Sequence, residues 1–258
     1  PSPRVVLFLN AFTSSSLLLL SHVGPPPMRR LLALAALALV TAPLAAQRVP
    51  LVFTHADTLR GSIGPGRAWW DVVFYDLHVN VSPADSSISG WNGIRYRVTG
   101  PAAEMQIDLQ MPLVIDSITQ NRRLLNFRRD SNAFFAALLD PQQVGSHKAI
   151  VVYYHGKPRV AIRPPWDGGF TWTVDSLGNR WVATSNQGLG ASVWWPNKDT
   201  QADEPDSQRI AITVPDSMID VSNGRLRSTT HNADHTTTYE WFVSSPINNY
   251  DVAVNAGR

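Results

Sequence analysis

Residues 71–81 read Asp-Val-Val-Phe-Tyr-Asp-Leu-His-Val-Asn-Val. Val73, Tyr75, Leu77, Val79 and Val81 fall on every second position, with Asp76, His78 and Asn80 between them. A period of two puts those five side chains on one face of an extended strand. The pattern continues outward. Residues 87–98 carry Ile88, Ile94, Tyr96 and Val98, interrupted by Gly90 and Gly93. Further β-rich runs lie at 105–109, 113–118, 150–154, 170–174, 181–184, 209–214, 236–243 and 250–254. Turn formers separate them: Ser82-Pro83, Asn121, Asp140-Pro141, Gly156, Leu177-Gly178-Asn179, Pro215-Asp216 and Ser222-Asn223-Gly224. The best helix candidate is 131–139 (SNAFFAALL), an apolar run short enough to be a strand as well. Many short strands with turns between predict an all-β domain, a large antiparallel sheet or sandwich.

The chain has 258 residues, enough for one large all-β domain. Nine Trp, nine Phe and six Tyr exclude a disordered chain. The absence of cysteine excludes disulfides, thiolate metal sites and a Cys nucleophile. Residues 28–47 combine Met28-Arg29-Arg30, an apolar run from Leu31 to Val40 and an Ala-rich exit. That is the build of a secretory signal over 28–46, and the run is too short to span a bilayer. Residues 1–27 precede the first Met and read as a non-native upstream leader. Residues 47–67 form a flexible lead-in, and 68–258 the β domain. The expected location is exported, periplasmic or extracellular, with no transmembrane helix in the mature part. Residues 1–46 hold three Arg and no acid, so without them 22 Lys+Arg fall to 19 against 20 Asp+Glu. No basic block remains to bind nucleic acid.

Short motifs of catalysis are sparse. His231-Asn-Ala-Asp-His235 has metal-ligand spacing only on a helix, and its turn formers predict a hairpin loop instead. The zincin motif H-E-x-x-H is excluded, because Glu104, Glu204 and Glu240 follow Ala103, Asp203 and Tyr239. Gly188-Leu-Gly190-Ala-Ser192 has the wrong spacing for a nucleophile elbow. Asp199, Asp203, Glu204 and Asp206 could gather round calcium, but a turn with Pro205 opening a helix accounts for them more simply. Residues 163–208 hold five of the nine Trp: Trp166, Trp172, Trp181, Trp194 and Trp195. Exposed and coplanar, such rings would be a sugar platform; buried, they are core.

From Pro164 onward the strings PPWDGGFTW, NQGLGASVWWPNKDTQADEPDSQRIAITVP, VSNGRL and SSPINNYDVAVNAGR resemble the aminopeptidase N family of zinc metallopeptidases. The likeness runs from about Trp69 to Arg258 and matches the family's N-terminal, saddle-like β domain. It implies a catalytic domain of the same polypeptide as partner, with zinc in that parent enzyme and none in this fragment. It also implies that the fragment is inactive alone. In the family a Gln or Glu nine residues before the Pro of a P-x-x-D string binds the free α-amine of the peptide substrate; Gln187 holds that place before Pro196. An amide oxygen can accept from an ammonium. The resemblance thus gives the N-terminal domain of a secreted aminopeptidase, against a carbohydrate-binding or purely structural β-sandwich.

Overall fold

A computed structural model describes residues 54–102 and 104–258. The leader and signal segments lie outside them. After one short helix, α1 (His55–Leu59), the chain forms fifteen strands. They are β1 (Trp70–Ser82), β2 (Ser87–Val98), β3 (Met105–Asp108), β4 (Val114–Gln120), β5 (Arg123–Leu124), β6 (Phe127–Asp130), β7 (Ala133–Ala136) and β8 (His147–Gly156). There follow β9 (Gly169–Val174), β10 (Arg180–Ser185), β11 (Ser207–Pro215), β12 (Ile219–Val221), β13 (Arg225–His231), β14 (Thr236–Val243) and β15 (Asn255–Gly257).

The strands make three sheets. The largest has eight, in the order β13-β14-β11-β1-β2-β8-β4-β5; a second has the order β12-β15-β10-β9, and a third β3-β7-β6. Every pair is antiparallel except β1 with β11, where Leu77 lies opposite Ile210. A parallel pair needs a long crossover, and the whole segment from β2 to Asp206 supplies it. One face of the large sheet is the core, with Tyr75, Leu77, Val79, Ile94, Tyr96, Val152, Ile210 and Ile212 all buried. Trp195 meets Tyr75 edge-on at 5.1 Å, and Trp194 meets Phe170 at 6.1 Å. These rings join the large sheet to the four-stranded one.

The alternation in β1 holds from Tyr75 onward. Val73 departs from it: the register against β2 shifts between Val72 and Phe74, so Val72 and Trp70 are buried and Val73 is only half-buried. A bulge adds one residue and flips the phase of everything before it. Gly90 sits where β2 crosses β1 most closely, and a Cβ there would lie 1.9 Å from the His78 carbonyl oxygen.

Three local expectations are corrected. The helix candidate 131–139 is a hairpin: β6 and β7 turn at Ser131, whose φ is +54°, and β7 is paired on both sides. Pairing two neighbours satisfies backbone groups that a two-turn helix would leave open. Residues 250–254 are not a strand. Asn249–Asp251 forms a 3-10 turn capped by Asn248, whose Oδ1 accepts from the Tyr250 amide at 3.1 Å. Pairing in that region begins only at Asn255. Pro205 opens no helix; it leads directly into β11. Within 47–67, the described part contains α1, opened by a Thr54–Asp57 capping box, and Gln106 Nε2 donates to the Leu59 carbonyl at 3.0 Å.

Candidate functional site

The loop 186–190 leaves β10 and turns back at once, with the Leu189 and Gly190 amides donating to the Asn186 carbonyl at 3.1 and 2.9 Å. Gly188 and Gly190 take φ of +71° and +83°. Asn186 is buried and anchors the loop to the segment before β15: its Nδ2 donates to the Tyr250 carbonyl at 2.5 Å and to Val252 at 3.2 Å. From the opposite side Gln110 Nε2 donates to the Leu189 carbonyl at 2.6 Å. Gln187, between these anchors, is exposed. The Tyr250 hydroxyl donates to its Oε1, and Arg60 donates to the Gly188 carbonyl.

Beneath the loop lies a chain of charge. Asp199 accepts from the Ala191 and Ser192 amides at 3.3 and 3.1 Å and from Ser192 Oγ at 2.5 Å. Its own amide donates to Asp108 Oδ2 at 2.9 Å. Asp108 is held by Arg67, whose Nε lies 3.0 Å away. Burial pushes the Asp108 carboxyl up, and the Arg67 guanidinium opposes that. Gly190 must be glycine for space as well as for φ, because a Cβ would lie 2.4 Å from Asp199 Oδ2. A cleft of about 390 Å³ opens beside the loop, bordered by Arg60, Gly188, Asp199, Thr200 and Tyr250. The result is a rigid, glycine-shaped tip that presents one carboxamide to solvent, its oxygen oriented by a tyrosine.

The other candidates are not brought together. Asp203 is spent on Lys198 and on the Val72 amide, and Asp199 on the 191–192 turn. His231 ends β13, with Nδ1 2.9 Å from Thr237 Oγ1, and His235 sits in the β13–β14 turn at φ +61°. Among the described residues no three His, Asp or Glu side chains converge as a metal requires. This set does not fit zinc. Nor do the tryptophans form a sugar platform. Trp194 and Trp195 are 0% exposed and tilted 54° to each other, and Trp172 stacks on buried Phe170; Trp166 and Trp181, 80% and 44% exposed, pair with no other ring. The residues that hold the Gln187 loop, namely Asn186, Tyr250, Gln110 and Arg60, were not singled out by sequence reasoning.

No protein-family model and no curated protein sequence matches the chain. Solved structures do. An M1 zinc metallopeptidase of Deinococcus radiodurans, bound to a Tyr-Ser-Ala substrate, superposes with a TM-score of 0.63 at 20% identity, over 74% of this chain. The chain carries the β-rich fold of M1 zinc metallopeptidases. A two-domain M1 zinc metallopeptidase bound to L-tryptophan gives a TM-score of 0.63 at 20% identity over 75% of this chain. Leukotriene A4 hydrolase of Saccharomyces cerevisiae gives 0.58 at 15% identity over 74%. The M1 likeness takes in 43%, 44% and 29% of those longer chains, so this chain spans less than half of each. No helix among the described residues is long and apolar enough to cross a membrane.

Proposed function

We propose that this chain is the non-catalytic N-terminal domain of an exported zinc aminopeptidase. It docks against a thermolysin-like catalytic domain of the same polypeptide and contributes Gln187 to recognition of the substrate's α-amine. The observation that carries the reading is the exposed carboxamide of Gln187 on a loop pinned from both sides. An unpinned Gln would pay rotamer entropy on binding; here Tyr250 already orients the acceptor oxygen. That oxygen has two lone pairs, so it can take an ammonium proton while still bonded to Tyr250. Zinc belongs in this proposal to the absent domain, and no step of this chain's own passes through it. Docking is supported by the likeness to the M1 peptidases, of whose longer chains this one covers 43% and 44%. Export is supported by the 28–46 leader.

The test is Gln187→Ala in the longer peptidase. A hydrogen bond to a charged group is worth about 1.5–3 kcal/mol, roughly a ten- to 150-fold loss in kcat/KM on free-amine peptides. Gln187→Glu should retain much of the activity. N-blocked substrates should be poor for the parent and indifferent to Gln187→Ala. Equal losses on free and blocked substrates would make Gln187 a loop residue and nothing more.

A further inference from the structure

The segment that precedes β1 has little apolar hold on the fold, since no residue of α1 is buried. Polar contacts tie it down instead. His55 Nε2 lies 2.9 Å from Asp130 Oδ2, and the Leu59 carbonyl accepts from Gln106 Nε2 at 3.0 Å. The Gly61 carbonyl accepts from Thr200 Oγ1 at 3.2 Å, and the Ser62 carbonyl from Arg67 Nη1 at 2.6 Å. One further contact runs the other way: Arg60, at the C-cap of α1, donates to the Gly188 carbonyl. Held so, the segment is a strap beside a cavity of about 230 Å³. Ala56, Leu59 and Arg60 of the strap line it, together with the buried Arg67, Asp108 and Ser192.

Arg60 differs from the other side chains that grip the backbone of loop 186–190. Asn186 and Gln110 are buried, whereas Arg60 is exposed. Its acceptor belongs to the residue directly after Gln187. Gly188 has a φ of +71°, and a glycine is the least restrained residue a loop can hold. A donor on the Gly188 carbonyl fixes the whole peptide plane that follows, because the peptide bond is planar. Arg60 and Tyr250 both border the cleft beside the loop. Tyr250 holds the Gln187 carboxamide, and Arg60 holds the backbone next to it.

We propose that Arg60 is a positioning residue for α-amine recognition, and that the strap it closes belongs to the recognition apparatus. The proposal rests on the role of Gln187 argued above and deepens it. The strap precedes Trp69, where the family likeness begins, so that likeness does not supply it. Arg60 acts through Gly188 and touches no substrate. The test is Arg60→Gln in the longer peptidase. Loss of one exposed hydrogen bond should lower kcat/KM on free-amine peptides about three- to tenfold. The loss should fall on KM, because ordering a loosened Gln187 costs the ground state and the transition state alike. N-blocked substrates should be indifferent to it. Arg60→Lys, still a cationic donor, should keep most of the activity. On the Gln187→Ala background Arg60→Gln should cost nothing more. The urea midpoint should stay near the parent's, since α1 buries no residue. If Gln187→Ala itself fails to separate free from blocked substrates, the reading of Gln187 falls and this inference with it. If Gln187→Ala is selective while Arg60→Gln is silent, costs both substrates equally, or adds its full loss to that of Gln187→Ala, this inference alone falls.

Discussion

Asp220 should make this domain lose stability as pH rises from about 4 to about 7. It lies on β12 and is only 1% exposed. Its Oδ2 accepts from the Trp241 indole at 3.0 Å, across to the large sheet, while its Oδ1 has no hydrogen-bond partner. Burial pushes the carboxyl from its ordinary 3.8 up to about 7, which the indole bond only partly offsets. The folded chain therefore holds a proton that the unfolded chain has released. Stability from this group is fully present below about pH 4, declines between about 4 and 7, and then levels. At about 1.4 kcal/mol per unit, ionising Asp220 costs up to about 4 kcal/mol. Asp220→Asn keeps an acceptor for Trp241 and removes the charge. Urea unfolding of the full chain, monitored by tryptophan fluorescence, is the assay. The variant should match the parent only below about pH 4; it should be more stable by about 1.5 kcal/mol at pH 5 and by about 4 kcal/mol at pH 8.5. An equal difference at both pH values would refute the reasoning, because it would mean that Asp220 is ionised in the fold throughout.

Gly190→Ala should destabilise by about 1–3 kcal/mol, since it combines a positive φ with a Cβ 2.4 Å from Asp199; denaturant midpoints measure it. Arg67→Met leaves Asp108 buried without its cation and should cost about 3–5 kcal/mol, or prevent folding; adding Asp108→Asn should recover part of the loss in the same unfolding assay. The chain alone should bind a hydrophobic dye, and Ile162→Ser with Trp166→Ser should reduce that fluorescence.

The long strands were legible because they are half-buried. β2 and β14 run over the same residues, 87–98 and 236–243, that alternation marks out. Strands with no buried face left no such trace. All seven residues of β13 are exposed, and its place at the sheet edge is fixed by pairing with β14 alone. The 131–139 run shows the complementary failure. Ala133 and Phe134, on opposite faces of β7, are both buried, and burial on both faces erases the period that tells a strand from a helix.

Gln187 was legible through its spacing from Pro196 and through the resemblance that gives that spacing meaning. Its side-chain support was not, because the side-chain bonds that anchor its loop cross the fold. Asn186 and Tyr250 are 64 residues apart, Gln110 and Leu189 are 79 apart, and Arg60 and Gly188 are 128 apart. No local pattern encodes such pairs. Local chemistry is written in the chain, whereas the distant neighbours that fix the loop around Gln187 are supplied by topology.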